Sequence, residues 1–465
     1  MKKNHNSKKE QNYRKVFSEL LSQIHPVDFR EQAGLDEDAK VALKRYSVIS
    51  IEEIIKTAES NDWGLCTKNE CIHVSNGQYW QVVDNKDFKS FLGNAAIKMG
   101  VPILDAKHHL FRDELFNQFV SVSNFPTPQS SNAVLVNLLN GTFEITNEEQ
   151  RLREFRREDF ITYQLPFEYN PEAKCPMFMK YLVRVLPDTE NRKVLAEFLG
   201  YIFVNNMKLE KALILYGSGA NGKSVLFEIV NAILGSENIC SYSLEELTKT
   251  ESYHRAELSN KLLNYVSEIS KKMNTTKFKL LVSNEPVEAR HIYGRPFTLQ
   301  DYSCKFMFNC NELPSDVEHT NAFFRRFIII PFEQTIPEDE QDPNLAKKII
   351  ASELSGVFNW ILKGLNRLLA QRKFTESAKV REQVQKYRIE SDSVAMFIDE
   401  EGYVPSITEK ISLQDLYSYY VQFCQWNGYR PCTSRRMAER LRNWGVELQK
   451  LRKGLTVYVM KNTLD

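Results

Sequence analysis

Residues 211–234 read KALILYGSGANGKSVLFEIVNAIL. The apolar run at 212–216 predicts a short buried strand, and apolar residues at helical spacing over 225–233 predict a helix. The loop between them matches G-x-x-x-x-G-K-[ST], a pattern in which backbone N–H groups and a helix N-terminus bind phosphate oxygens. We therefore expect a P-loop for ATP, with Lys223 neutralising the β- and γ-phosphates and Ser224 ligating Mg²⁺. The predicted nucleotide-binding residues are Gly217, Ser218, Gly219, Ala220, Asn221, Gly222, Lys223, Ser224 and Val225.

The composition is ordinary for a globular protein. The chain has 465 residues, which predicts two to four domains, and its formal net charge of +1 means that any basic surface has to be local. No run approaches the roughly 18 apolar residues of a membrane-spanning helix, and no apolar segment near the N-terminus looks like a signal peptide. The eight cysteines form no C-x-x-C pair or zinc-ligand spacing. These features predict a cytoplasmic protein with reduced thiols and no membrane segment.

Two further apolar runs end in polar residues suited to nucleotide chemistry. The strand predicted over 260–269 ends in Ser267-Glu268, and a carboxylate there can bind Mg²⁺ or polarise an attacking water. Ser267 stands where a second acidic residue is usual, so Glu268 is the expected base. The strand predicted over 302–311 ends at Asn311, whose amide can contact the γ-phosphate and the water.

Adjacent arginines precede a fourth predicted strand. Arg325 and Arg326 lead into the apolar run 328–332, a position that suits an arginine finger supplied to a neighbouring active site. The sequence does not choose between the two. The predicted catalytic residues are Lys223, Glu268, Asn311, Arg325 and Arg326, and the predicted metal ligands are Ser224 and Glu268.

These motifs, in this order, resemble the superfamily III helicases, and more narrowly the phage, plasmid and poxvirus primase-helicase family. The resemblance runs from about residue 137 to residue 459 and rests on GSGANGKS, NYVSEI, RHIYGRPF, FMFNCNELP and FFRRFIIIPF. It implies an AAA+ ATPase that assembles into a ring, usually a hexamer, because each active site needs a neighbour's arginine. No zinc ribbon lies upstream, so we expect no polymerising primase domain in this chain.

The resemblance also assigns DNA contacts to a hairpin predicted over 285–299. In superfamily III rings this pre-sensor hairpin projects into the central channel and grips one DNA strand. Here Arg290, His291 and Arg295 would contact phosphates, and Tyr293 could stack on a base. Without the resemblance, an ordinary surface hairpin with solvated charges is the alternative.

The last stretch is locally basic, with ten Lys/Arg against five acidic residues over 405–465. A helical face beginning at Leu413, a second helix with arginines and a strand–turn–strand pattern resemble the family's C-terminal winged helix. The residues predicted to face phosphates are Arg435, Arg436, Arg440, Arg452 and Lys453. A winged helix is also a common protein-docking module, and that alternative stays open.

The predicted fold class is α/β, with an AAA+ P-loop ATPase core, a mixed α+β N-terminal domain and a C-terminal winged helix. The predicted domains are a basic flexible tail over 1–15, a pre-helicase or collar domain over 16–185, a superfamily III AAA+ helicase domain over 186–385 and a winged-helix domain over 386–465.

The function that these features predict is an ATP-dependent, ring-forming DNA helicase for replication of a phage or other mobile element. Expected partners are single-stranded and forked DNA, further copies of the chain, and a separate primase or polymerase. The main alternative, which Ser267 favours, is an ATP-gated replication initiator or helicase loader that binds DNA without processive unwinding. A P-loop kinase or transferase is less consistent, because it would leave the hairpin and the paired arginines without a role; a non-enzymatic scaffold would not need Lys223 with Glu268.

Overall fold

A computed structural model gives the fold of residues 6–36, 38–68, 71–125, 133–146, 148–269, 273–291, 294, 296–300, 302–314, 317, 319–429, 431–452 and 454–461. Its first unit combines helices with an antiparallel sheet in the order β1-β2-β3. The elements are α1 (Asn6–Gln23), α2 (Phe29–Gln32), α3 (Leu43–Ser60), β1 (Gly64–Lys68), β2 (Cys71–Ser75), β3 (Trp80–Val82), α4 (Asn85–Met99), α5 (Ile103–Lys107) and α6 (His109–Val122). Strands β2 and β3 form an antiparallel hairpin, with Ser75 opposite Trp80.

The N-terminal segment is more ordered than its basic composition predicts. Helix α1 begins at Asn6, and apolar residues at spacings of three and four are buried against α4, with the Phe17 and Phe91 rings stacked 4.4 Å apart. The prediction of a flexible tail over 1–15 is therefore wrong from Asn6 onward, and residues 1–5 lie outside the described range. The buried positions are Tyr13, Val16, Phe17 and Leu20.

A second antiparallel sheet, in the order β4-β5-β6, precedes two helices that lead to the P-loop strand. Its first two strands form a hairpin, with Leu138 opposite Gly141. The elements are β4 (Val134–Leu138), β5 (Gly141–Ile145), β6 (Gln150–Arg153), α7 (Pro176–Val185) and α8 (Thr189–Tyr201).

The central unit contains the P-loop sequence. Its elements are β7 (Ala212–Tyr216), α9 (Lys223–Leu234), β8 (Ile239–Cys240), α10 (Leu244–Thr248), β9 (Leu263–Val266), α11 (Thr275–Val282), β10 (Val287–Arg290), β11 (Pro296–Leu299), β12 (Lys305–Cys310), α12 (Asn321–Phe324), β13 (Phe327–Pro331), α13 (Leu345–Ser352), α14 (Leu354–Gln371) and α15 (Ala378–Glu390). The four strands predicted around the nucleotide motifs are all present, as β7, β9, β12 and β13, and β10 pairs with β11 as the predicted hairpin.

Five of these strands form a parallel sheet in the order β13-β7-β12-β9-β8. Cys310 at the end of β12 and Pro331 at the end of β13 both pair with Tyr216 at the end of β7. The carboxyl ends of β7, β12 and β13 are therefore level at one edge, where ligands of open α/β sheets bind.

Both faces of the parallel sheet are covered, which explains why its strands are continuous apolar runs rather than alternating ones. On one face Leu213 and Leu215 pack with α8, α9 and α14. On the other face Ala212 and Ile214 pack with α10, α11 and Tyr387 of α15. Because successive side chains of β7 point to opposite faces of the sheet, they pack in two separate cores.

The core does not divide at the predicted boundary between residues 185 and 186. Strands β4 and β5 and helix α7 share one apolar cluster with α8, α9 and α14, whereas the residues from Tyr13 to Phe119 form a cluster of their own. Packing therefore joins the second sheet to the P-loop unit.

The last unit has its own core, between Val394 and Val459. Its strands form a sheet in the order β15-β17-β16 and a β14-β18 pair. The elements are α16 (Ser393–Glu400), β14 (Tyr403–Pro405), β15 (Ile411–Ser412), α17 (Leu413–Trp426), α18 (Ser434–Asn443), β16 (Leu448–Leu451), β17 (Gly454–Val457) and β18 (Val459–Lys461). Over the residues that the structure describes, every helix is too short or too polar to cross a membrane.

Candidate nucleotide site and nucleic-acid surfaces

The loop after β7 has the tight path that its glycines predict. A Cβ atom at Gly217 would lie 2.3 Å from the carbonyl oxygen of Phe332, so only glycine allows this approach. Gly222 has φ of +86°, and a Cβ there would lie 2.8 Å from Val185. Helix α9 starts directly afterwards, at Lys223. The loop therefore presents its backbone at a helix N-terminus, as phosphate binding requires.

The Lys223 side chain is buried and fully engaged with the loop. Its Nζ donates hydrogen bonds to the carbonyl oxygens of Gly217 at 2.6 Å and Ser218 at 3.0 Å, and to Oδ1 of Asn221 at 3.0 Å. Burial lowers the pKa of Lys223, and the neighbouring Cys310 thiol opposes that shift. The three acceptors are neutral oxygens. The positive charge of Lys223 is therefore not compensated by them and is available to an anionic ligand.

Three residues outside the motif hold the loop from behind. The Tyr181 hydroxyl on α7 donates to the Gly222 carbonyl at 2.8 Å. The backbone of the segment after β13 donates twice, from Phe332 to Tyr216 at 2.6 Å and from Ile336 to Ala220 at 2.8 Å. Sequence reasoning missed these contacts, because they join segments far apart in the chain.

Asn221 is the buried clamp of the loop, with 3% of its surface exposed. Its Nδ2 donates to the carbonyl oxygens of Ser218 and, at 3.1 Å, of Phe332, while its Oδ1 accepts from Lys223. By contrast Ser218, Gly219, Ala220 and Ser224 are exposed. Asn221 therefore stabilises the conformation of the loop, and the exposed residues are the ones that a nucleotide could contact.

The structure brings the ends of β9 and β12 to the loop. The Gly217 N–H donates to the Cys310 carbonyl at 3.0 Å, and the next residue, Asn311, is exposed at the same edge. Burial raises the pKa of the Cys310 thiol to about 12; the Lys223 charge lowers it and the Glu268 charge raises it. The Cys310 thiol thus lies within electrostatic range of both the predicted phosphate ligand and the predicted base.

Glu268 and Ser267 are exposed just beyond the end of β9. Asn309, two residues before Asn311 in the chain, is instead buried and accepts a hydrogen bond from the Tyr265 hydroxyl at 2.9 Å. Of the two asparagines, Asn311 is the one open to a ligand. Within the described ranges, no three His, Cys, Asp or Glu side chains group together as a metal site, so Ser224 and Glu268 would have to share Mg²⁺ with phosphate oxygens and water.

The two arginines before β13 differ in environment. Arg325 is exposed over 61% of its side chain and pairs with Glu210 at 2.6 Å. Arg326 is 8% exposed, lies 3.4 Å from Glu210 and donates to the Ser283 hydroxyl at 3.0 Å. A finger has to reach a neighbour, so burial contradicts the prediction for Arg326 and leaves Arg325.

The hairpin of β10 and β11 has a fixed base. Arg255 is 1% exposed and donates to four carbonyl oxygens, including that of Glu288 on β10 at 2.6 Å. Arg290 donates to the Gly294 carbonyl at 3.1 Å and lies 5.8 Å from the ring of Tyr253. His291 is exposed and stacks on Phe297. Tyr293 and Arg295 lie outside the described residues.

Tyr253 is a surface aromatic that sequence reasoning missed. It is 42% exposed and lies under the Arg290 guanidinium, a combination of ring and cation typical of surfaces that bind single strands. The signal available in the sequence was the aromatic pair Tyr253-His254 in a polar segment, which has no regular spacing.

In the last unit, Arg435, Arg436 and Arg452 are exposed, which a contact with DNA would require, and Lys453 lies outside the described residues. Arg440 is different: its Nη1 lies 3.0 Å from Oδ1 of Asp392, and the two side chains are 18% and 9% exposed. Asp392 also caps helix α16. The prediction that Arg440 faces DNA is therefore wrong, because the guanidinium neutralises a buried carboxylate inside the protein.

Two family models match parts of the chain. Residues 39–187 match the model described as D5 N terminal like. Residues 215–326 match a family of unknown function, DUF5906. The second match includes the P-loop, Glu268, Asn311 and Arg325.

The chain is similar to two viral proteins named as helicases. The "Putative helicase L207/L206" of Acanthamoeba polyphaga mimivirus is 24% identical over 253 residues, which are 51% of this chain and 26% of that protein. The "Putative helicase 121R" of Invertebrate iridescent virus 3 is 22% identical over 336 residues, 63% of this chain and 35% of that protein. The chain thus spans between about a quarter and about a third of these relatives.

A solved structure has a similar fold. The A form of the apo NrS-1 C terminal region aligns with a TM-score of 0.50 and 13% identity, covering 88% of this chain and 98% of that one. At this identity the similarity shows the fold alone, a mixed α/β fold with a parallel sheet.

Proposed function

We propose that the chain is an ATP-dependent, ring-forming DNA helicase of superfamily III type that serves replication of a virus, phage or other mobile element. The observation that carries the proposal is the placement of Lys223, Glu268 and Asn311 around one edge of a parallel sheet, with Arg325 at the opposite edge. The similarity to viral proteins named as helicases supports a replication helicase-like function.

In the proposed active site, loop N–H groups and Lys223 bind the triphosphate of ATP, and Ser224 with Glu268 holds Mg²⁺. Glu268 orients the attacking water, and Asn311 contacts the γ-phosphate. The strand order supports these roles, because β12 lies between β7 and β9 and so places Asn311 between the loop and Glu268.

Hydrolysis requires a second copy in this proposal. Arg325 precedes β13, and β13 runs parallel to β7, so Arg325 lies beside Lys211 at the start of β7. The loop begins six residues later, about 20 Å away along an extended strand. Arg325 therefore serves a neighbour's nucleotide, and repetition of that contact closes a ring.

The proposed DNA contacts are the β10–β11 hairpin, with Tyr253 beside it, and the last unit. There the order α16, β15, α17, α18 and the β16–β17 hairpin supports a winged helix, with Arg435, Arg436, Arg452 and Lys453 toward phosphates. A separate primase or polymerase is a proposed partner at the replication fork.

The test is ATP hydrolysis with and without single-stranded DNA, followed by strand displacement on forks of both polarities. We expect hydrolysis that DNA stimulates and displacement on one fork polarity. A DNA-independent rate would favour a small-molecule P-loop enzyme.

A second candidate is an initiator or loader, which Ser267 favours because it replaces a carboxylate beside Glu268. ATP-dependent DNA binding without displacement on either fork would select it. The variant Ser267→Asp restores a carboxylate beside Glu268. If the chain is a loader that hydrolyses ATP slowly because it lacks this metal ligand, the variant should have a higher ATPase rate than the natural chain.

A further inference from the structure

A cleft of about 850 Å³ opens at the sheet edge opposite the P-loop. One wall contains Lys211 and Arg325, and the other is a row on α15 made of Arg381, Gln385 and Arg388. These α15 residues are four and three positions apart, so they lie on one face of the helix. The apolar positions Val380 and Val384 on the same helix pack against the cores of the central unit. The row is therefore held rigidly over the cleft.

The charge of the cleft is strongly positive. Its lining contains five cationic side chains, those of Lys211, Arg325, Lys373, Arg381 and Arg388, and the carboxylate of Glu376. Glu376 is paired with Lys373 at 3.0 Å, and Glu210 at the margin is paired with Arg325 at 2.6 Å.

The charges around the cleft affect the protonation of Lys211. Burial lowers the pKa of Lys211, and the charges of Arg325 and Arg326 lower it further against the opposing effect of Glu210. The two guanidinium charges thus act on Lys211 in the same direction as burial does.

The α15 arginines are placed beside the proposed finger. Arg388 donates from Nη1 to Oδ1 of Asn321 at 3.4 Å, and Asn321 begins the short helix α12 that leads into Arg325. Arg381 is exposed, and no ion pair within 4 Å is found for it among the described residues. A guanidinium group can donate two parallel hydrogen bonds to a phosphate, and it keeps its positive charge at every accessible pH.

We propose that Arg381 and Arg388 of this cleft contact the triphosphate of a nucleotide bound in the P-loop of a second copy. This inference rests on the proposed function and extends it, because it adds two trans-acting residues on α15 to the finger. The cleft cannot serve the chain's own P-loop, which lies at the other sheet edge about 20 Å away. The cleft lining has five cations and one carboxylate, a charge balance that suits a polyanion. Arg325 lies in the same wall and is the proposed finger, so we assign this polyanion as the nucleotide that Arg325 is proposed to contact.

The experiment uses the full chain in a mixing assay. The variant Arg381→Ala/Arg388→Ala keeps its own P-loop, and Lys223→Ala keeps its cleft. Lys386→Ala is the matched control, because Lys386 is an exposed cation of the same helix outside the cleft. Thermal melting of each variant shows that it is folded, and DNA-free ATPase rates are measured alone and after 1:1 mixing with Lys223→Ala.

We expect the double variant alone to lose ATPase rate by about 100- to 1,000-fold, as loss of a charge-stabilising group typically does, while Lys386→Ala matches the natural chain. Mixing should restore roughly a quarter of the natural rate, since one in four random ring contacts joins an intact P-loop to an intact cleft.

An unrestored mixture would overturn the inference, provided that Arg325→Ala mixed with Lys223→Ala is restored. If the natural chain has no ATPase, or if neither mixture is restored, the proposed function fails together with the inference. An unchanged DNA-free rate with weaker binding of single-stranded DNA would make the cleft a nucleic-acid site and also overturn it.

Discussion

Nζ of Lys223 lies 3.0 Å from Oδ1 of Asn221, and Nδ2 of the same Asn221 donates to the Phe332 carbonyl at 3.1 Å. One buried amide thus connects the motif lysine to the end of β13. The conformation of the P-loop therefore depends on a strand more than a hundred residues away in sequence.

Replacing Asn221 by Ala should weaken ATP binding and destabilise the fold. The substitution leaves the Phe332 carbonyl without its partner, which costs about 1–3 kcal/mol for a buried polar group, and it frees the Lys223 side chain. We expect a roughly tenfold higher Kd for ATP, measured by titration with a fluorescent ATP analogue. Asn231→Ala, in the following helix, is the control; equal affinities for both variants would show that the clamp does not shape the loop.

Arg325 and Arg326 should respond differently to alanine. Arg325→Ala removes an exposed side chain, so the melting temperature should stay unchanged while the ATPase rate falls by about 10³-fold or more, the value of an arginine finger. Arg326→Ala leaves the buried Ser283 hydroxyl without its partner and removes a buried side chain, so it should lower the melting temperature by several degrees. A destabilised Arg325 variant with a normal rate would reverse the assignment.

Arg440 and Arg435 form a second contrasting pair. Arg440→Ala leaves the buried Asp392 carboxylate without the guanidinium and should cost about 3–5 kcal/mol of unfolding free energy. Arg435 is 90% exposed, so Arg435→Ala should leave stability unchanged and lower DNA affinity. Urea unfolding and DNA titration at fixed salt measure the two effects. Equal stability of the two variants would contradict the role assigned to Arg440.

His73 should make the first unit sensitive to acid. Burial lowers the pKa of His73 from 6.5 to about 4, so between these values the unfolded chain binds a proton that the folded one does not. Its contribution is complete above about pH 6.5 and is lost as the pH falls toward 4, by up to about 3 kcal/mol. Unfolding of the natural chain and of His73→Gln across this range isolates the effect: the difference between them should shrink as the pH falls. A constant difference would show that His73 does not titrate differently on folding.

Local patterns predicted the fold well where the structure depends on local signals. The run 212–216 became β7 at the predicted bounds, and the glycine pattern located the loop and the start of α9. The β10–β11 hairpin and the ends of the parallel strands were predictable for the same reason.

The rest could not be predicted, because it depends on contacts between distant segments. Tyr181 reaches Gly222 across 41 positions, and Asp392 meets Arg440 across 48; periodicity along one helix reveals neither partner. The basic composition near the N-terminus concealed the apolar stripe from Tyr13 to Leu20. Adjacent arginines looked equivalent until burial separated Arg325 from Arg326.

Strand displacement on forked DNA tests the helicase proposal most directly, with the natural chain compared with Lys223→Ala and Glu268→Gln. We predict that the natural chain releases the complementary strand only when ATP and Mg²⁺ are present. Lys223→Ala should neither hydrolyse ATP nor displace DNA, and Glu268→Gln should bind ATP without displacing DNA. Displacement by Lys223→Ala at the natural rate, or none by the natural chain on either fork polarity while it hydrolyses ATP, would contradict an ATP-driven helicase.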